Sequence, residues 1–208
     1  MHTEDIPLPA APADAAARGL HHHGVWRASL ALAAITLLGF GLAYSLAGTL
    51  VAGALFPAQA EGSLLRREAG VVGSALLAQP FNDPRYFQPR PSAAKYDPMS
   101  AAGSNQARSN PDLRQRIDET RAALAARDGI DPAQVAPDLL TQSGSGLDPD
   151  ISPAAAAQQV RRVAAARGLP EARVQALLRA HTQPRQYGVF GQPRVNVLAL
   201  NLALDDLR

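Results

Sequence analysis

Leu139–Ala157 reads LLTQSGSGLDPDISPAAAA and sets a turn and a helix start side by side within nineteen residues. Ser143-Gly144-Ser145-Gly146 is a polar turn, because glycine enters positive φ without a Cβ penalty. Ser152-Pro153 opens a helix: the serine hydroxyl accepts from an orphan amide, and proline fits the first helical position. The alanines and Gln158, Gln159 and Val160 carry that helix forward, and Gly168 stands where a C′ glycine would end it. A glycine-rich turn ahead of a helix holds backbone amides in fixed directions. Ser143, Gly144, Ser145 and Gly146 are therefore candidates for cradling a phosphate or carboxylate. The stretch lacks the Gly-Lys-Ser/Thr ending of a P-loop, and an ordered connector between two elements is the other reading.

Working outward, the pattern predicts a helix over Ala154–Arg167. A second helix starts at Pro170 and bears Val174, Leu177 and Leu178. The terminal run VNVLALNLAL, Val195–Leu204, reads as a strand. Val195 and Val197 share one face, and Leu198, Leu200, Leu202 and Leu204 share the other, so a bulge or burial on both faces is expected. On the N-terminal side, Asn110-Pro111 starts a helix running to about Arg127, with Leu113, Ile117 and Leu124 on one face and Gly129 past its end. Residues 79–110 are rich in Pro, Ser, Asn and aromatics and read as a long ordered loop. Gly62–Leu77 reads as a strand or short helix. Together, residues 57–208 predict one α/β (α+β) domain.

Before that domain lies a greasy segment. Ala28–Phe56 is almost wholly apolar, and no charged residue occurs from Ala28 to Ala60. Its 29 residues would reach roughly 43 Å as a helix, more than the ~30 Å hydrocarbon core of a bilayer. Residues 28–56 are thus expected to be a transmembrane helix, with Trp26, Arg27, Phe56 and Pro57 at its boundaries and residues 1–27 as a polar leader. Ala58-Gln59-Ala60 has the small-x-small form of a signal-peptidase site, so a cleaved signal peptide is the rival reading. The apolar run is longer than a signal h-region, which favours the uncleaved anchor. Basic residues tie across it: Arg18 and Arg27 before, Arg66 and Arg67 after. Export of the long following domain, with the leader inside, is the preferred topology. Gly41, Ser45, Gly48 and Ala52 recur at helical spacing and form a stripe of small side chains that would let a partner helix approach closely. No Asp, Glu, Lys, Arg or His lies within the span, whereas an ion pathway of its own would be expected to place polar ligands there.

Composition excludes several classes. A net charge of +2 with no dense basic patch argues against nucleic acid. The absence of cysteine removes disulfides, thiolate nucleophiles and thiolate metal sites. Three histidines, His21–His23, lack carboxylate partners and read as a polar segment; no metal site is expected. Asp148 and Asp150 flank a proline, too few oxygens for Ca²⁺, and suit a helix N-terminus better.

At this point the residues resemble a family. Gly73-Ser74-Ala75-Leu76, Tyr86-Phe87 followed by Arg90-Pro91-Ser92-Ala93, Gly103-Ser104-Asn105 and Ser109-Asn110-Pro111 occur in order. The Ser143–Asp148 loop with Ile151-Ser152-Pro153, Gln159 with Arg162-Val163-Ala164, and Gly191-Gln192-Pro193 complete the series. In that order, behind one anchor, they are similar to the C subunits of Kdp-type potassium-transporting ATPases, from the membrane helix to the C-terminus. Ala78-Gln79 and Ala101-Ala102 depart from the family's glycines. The resemblance implies a non-catalytic subunit with one helix in the bacterial inner membrane, its N-terminus cytoplasmic and its domain extracytoplasmic. It further implies two partners, a channel-like potassium subunit and an ATP-hydrolysing subunit, and a role in assembly that raises the latter's affinity for ATP. No cofactor would be held firmly by this chain, ATP being met only through the complex. The residues agree to this extent: no Asp-Lys-Thr-Gly motif and no P-loop occurs, so ATP hydrolysis belongs elsewhere.

Two other classes stand beside this reading. A membrane-anchored hydrolase would draw on His181 with Ser143, Ser145, Asp148 and Asp150, yet no Gly-x-Ser-x-Gly elbow occurs. A secreted or membrane-anchored ligand-binding protein would be cut after Ala60 if released.

Overall fold

The structure, a computed structural model, describes residues 22–207, with side chains from Gly24 onward. Most of the polar leader, including His21, lies outside the described residues, as do the side chains of His22 and His23. The described residues fall into two compact units that meet in sequence at Ala60 and Glu61.

The first unit is helical. α1, His22–Ile35, passes through a π-helical stretch, Thr36–Tyr44, into α2, Ser45–Leu55; a single turn, α3, Pro57–Ala60, follows. The 32 residues Gly24–Leu55 are long and apolar enough to cross a membrane, and none of the hydrophobic window is covered by protein. Leu30, Leu37, Phe40 and Leu50 all face outward. That much uncovered apolar surface is compatible with a lipid environment.

The second unit mixes helices with two small antiparallel sheets. Gly62–Leu77 resolves into a hairpin, β1 (Leu64–Arg67) paired with β2 (Gly70–Ser74), with a register shift between Leu65 and Arg66. The long loop follows as expected. α4, Pro111–Asp128, begins on Asn110, whose Oδ1 accepts from the Asp112 amide at 2.9 Å, and ends on left-handed Gly129. A short α5, Pro137–Leu140, leads into the serine–glycine turn and β3, Asp150–Ile151. α6, Pro153–Arg167, starts and stops where Ser152 and Gly168 predict: the Ser152 hydroxyl accepts from Ala155 N at 3.0 Å, and Gly168 has φ 63°. α7, Glu171–Ala180, is followed by β4, Thr182–Gln183, and β5, Arg194–Asn196. β5 is the middle strand of the order β3-β5-β4.

The terminal run differs from the strand expected over Val195–Leu204. Only Arg194–Asn196 is strand, and Val197–Asp205 is a helix, α8. Asn196 makes the switch, its Oδ1 accepting from Ala199 N at 3.0 Å as an N-cap. Burial falls on Val197, Leu198, Leu200, Asn201 and Leu204, the period of a helix face. The alternating leucines imitate a strand because Leu202 lies beside that face. β3, β5, α6, α7 and α8 enclose the core, in which Phe87, Val163, Val174, Val195, Leu200 and Leu204 are fully buried. Burying each such side chain stabilises the fold by roughly 1.5–3 kcal/mol.

Candidate functional site

The residues that look functional in the sequence lie in a loop layer built over α6 and α8. The segment Tyr86–Gln88 runs through the core edge without a strand neighbour, so its backbone groups need other partners. Two buried side-chain amides supply them. Asn201 on α8 accepts from Phe87 N and donates to Phe87 O, both at 2.8 Å. Gln159 on α6 accepts from Gln88 N at 2.9 Å and donates to Gln88 O at 3.1 Å. Each carboxamide takes the place of a peptide group on an adjacent strand.

Arginines complete the clamp. Arg162 donates to Pro84 O at 2.5 Å, to Tyr86 O at 3.0 Å and to Gln159 Oε1 at 2.7 Å. Arg167 donates to Arg85 O at 2.7 Å and to Asp205 at 2.7 Å, and its guanidinium lies 4.8 Å from the Tyr86 ring centre. Below them the Asp128 side chain is wholly enclosed and receives Arg127, Arg162 and Gln158. Burial alone would raise its pKa; the hydrogen bonds and charge of Arg127, then the hydrogen bonds from Arg162 and Gln158, outweigh burial and hold it below the ordinary carboxylate value. Sequence reading missed Asp128, Asn201 and this use of Gln159. The available signal was a polar residue at core phase on each helix.

The Ser143–Gly146 turn packs against the same layer. Ser143 N donates to Pro91 O at 3.0 Å, and its buried hydroxyl accepts from Gly146 N at 3.0 Å and Asp148 N at 3.3 Å. Ser145 Oγ accepts from Leu147 N at 3.1 Å and lies 3.2 Å from Ser143 Oγ. Ser92 Oγ donates to Gly146 O at 2.6 Å and accepts from Tyr96 N at 3.0 Å. Two glycines let the strands of loop touch: a Cβ on Gly103 would stand 2.6 Å from Gly144 O, and one on Gly146 would stand 2.8 Å from Ala102 O. The amides of Gly146, Leu147 and Asp148 are therefore engaged by the loop's own serines. The start of α6 is likewise engaged, Asp138 accepting from Ser152 N at 2.8 Å and Ser152 Oγ at 3.0 Å. What remains open is a shallow groove of about 430 Å³ between Leu76–Leu77 and the turn, lined also by Leu147, Asp148 and Pro149. Asp148 pairs with Arg90 at 3.0 Å and Asp150 with Arg194 at 3.1 Å. His181 caps the end of α7, while the Ser143 and Ser145 hydroxyls bond each other and the loop amides.

In the first unit, Ser45, Gly48 and Ala52 share the regular α2 helix, with open space around Gly48. Gly41 belongs to the π-helical stretch, whose wider turn shifts its phase relative to the other three. Ser45 Oγ donates back to Phe40 O at 3.4 Å.

Comparison with known proteins draws these parts together. The family KdpC, described as K+-transporting ATPase, c chain, matches residues 26–206 and so takes in both the apolar helix and the folded domain. A potassium-transporting ATPase KdpC subunit of Xanthomonas oryzae pv. oryzae is 68% identical over 186 residues, 89% of each chain. The subunit of the same name from Shewanella putrefaciens is 52% identical over 181 residues, covering 87% of this chain and 89% of that one. That from Sorangium cellulosum is 54% identical over 171 residues, covering 81% and 90%. The chain belongs to the KdpC family of K+-transporting ATPase subunits.

Proposed function

We propose that this chain is the accessory, non-catalytic subunit of an ATP-driven potassium uptake complex in the bacterial inner membrane. It is anchored by Gly24–Leu55, with the leader cytoplasmic and the folded domain extracytoplasmic. The observation that carries the reading is the family match through residues 26–206, anchor and domain together. The partners are a channel-like potassium subunit and an ATP-hydrolysing subunit. Two features support a non-catalytic role. The chain has no aspartyl-phosphate motif or P-loop, and the serine hydroxyls of the Ser143–Asp148 turn are engaged with their own loop. ATP then belongs to the neighbouring subunit. An effect of this chain on ATP affinity is a bias between global states, exerted through contacts with neighbours. A domain outside the membrane cannot touch cytoplasmic ATP, which favours a position beside the ion entrance, where tethering keeps it at high effective concentration.

Co-purification tests this. After mild detergent extraction, a potassium-stimulated ATPase activity is expected to travel with the chain; recovery of the chain alone would overturn the assignment. Topology has its own readout in Lys95, the only lysine and exposed. A membrane-impermeant amine reagent should modify it in spheroplasts without permeabilisation. Protection until the membrane is opened would place the domain inside.

A further inference from the structure

Between β4 and β5 the chain makes a small hairpin that the clamp and the serine turn do not use. Gln186 and Phe190 exchange backbone bonds of 2.9 Å in each direction, and Val189 N donates to Gln186 O at 3.1 Å. Arg185 donates to Gln192 Oε1 at 2.9 Å across the base. Tyr187 and Gly188 follow one another with φ of 51° and 75°. Glycine or asparagine suits such positions, whereas tyrosine is strained there. The strained residue is also the most exposed aromatic described: Tyr187 is 92% exposed, with Val189 at 70% and Phe190 at 64%. The hairpin thus holds three large apolar side chains in solvent on a braced turn, as interaction sites do.

Charge narrows the choice of partner. From Ala172 to Leu204 there is no carboxylate residue, while Arg173, Arg179, Arg185 and Arg194 lie within that stretch. An aromatic tip on an arginine-bearing stretch with no carboxylate of its own, its Arg194 pairing with Asp150 of β3, matches the layered chemistry of a lipid interface, apolar beneath anionic headgroups. Only eight residues, Phe56–Ser63, join the apolar helix to β1, so a chain anchored by that helix keeps its domain at high effective concentration near lipid.

We infer that the Tyr187–Phe190 hairpin tip is a second membrane contact, inserting Tyr187, Val189 and Phe190 into the interface of an anionic bilayer. The inference rests on the anchor reading, and resistance of the reconstituted chain to alkaline extraction tests that anchor separately. Trp26 is the single tryptophan, so the full chain carrying Trp26→Phe and Tyr187→Trp reports on the tip alone. In vesicles containing phosphatidylglycerol, bromine-labelled acyl chains are expected to quench the introduced indole roughly twofold, and less in pure phosphatidylcholine. Adding Val189→Ser and Phe190→Ser should abolish the quenching while the chain stays in the membrane. A water-exposed indole insensitive to bromolipid, or quenching unchanged by the serine pair, would overturn the inference. Shielding of the tip that arises only in the assembled complex would also overturn it and give the hairpin to a neighbouring protein.

Discussion

At the scale of single residues, the loop layer depends on groups with no spare room. Gly146 combines φ of 74° with neighbours at 2.8 Å and 2.9 Å from a would-be Cβ, namely Ala102 O and Ala94 Cβ. Gly168 has a similar φ of 63° but open space. Gly168→Ala should therefore cost about 1 kcal/mol, the strain of a left-handed alanine. Gly146→Ala should cost at least about 2 kcal/mol more, since the backbone of the 102 segment must also move. Urea denaturation of the detergent-solubilised chain measures both, and equal losses would contradict the packing of the turn. Asn201 supplies a third case. Asn201→Leu keeps the volume but leaves Phe87 N and O buried without partners. A loss of about 2–4 kcal/mol is expected, against well under that for a leucine swap on an exposed helix face.

Elements show where the sequence was legible and where it misled. α4 and α6 could be read at both ends, and α7 at its start, to within a residue, because capping is local: Asn110, Ser152, Gly129 and Gly168 signal through their own backbone neighbours. α8 misled because alternate leucines carry both periods: its Asn196 cap is local, but the contact that buries its polar position, Asn201 with Phe87, spans 114 residues. The candidate turn was visible as a turn. What packs against it was not, since Pro91, Ser92 and Ala102 reach it from a distant loop. The same long range hides the two aspartates' opposite electrostatics. Asp128 is held below its ordinary pKa, so its contribution to stability is present above the unfolded value near pH 4 and is lost as pH falls through the folded one. Asp150 is shifted upward, by burial first and by Asp148, against the pull of Arg194 and Asn196. Its contribution is present below the unfolded value and is lost as pH rises through the folded one, so at neutral pH its ionised form opposes folding. Asp128→Asn should thus cost about 3–5 kcal/mol by leaving the buried Arg162 guanidinium without its counter-charge. It should also remove part of the acid-limb slope in a stability–pH profile. Asp150→Asn should change neutral-pH stability by no more than about 1 kcal/mol. Equal losses at both positions would refute the assignment.

For the whole molecule, the proposed division of labour puts association in the apolar helix as well as in the folded head. The helix surface is uncovered, and Ser45, Gly48 and Ala52 give α2 one side on which another backbone could come close. Gly48 is the informative position because a Cβ there meets nothing within 4 Å in this chain. A larger side chain therefore leaves the isolated subunit intact, and any defect belongs to the partner contact. Gly48→Leu should reduce recovery of the potassium-stimulated ATPase with the chain by about tenfold, the equivalent of about 1.4 kcal/mol of lost helix packing. Membrane retention of the chain should be unchanged. Ala54→Leu, on a different side of the same helix, supplies the comparison and should leave recovery as it was. If both variants recover the complex equally, the small-residue side is not the contact, and assembly rests on the domain. If both lose it, the helix is packed on more than one side, and a multi-helix environment replaces the single-stripe picture.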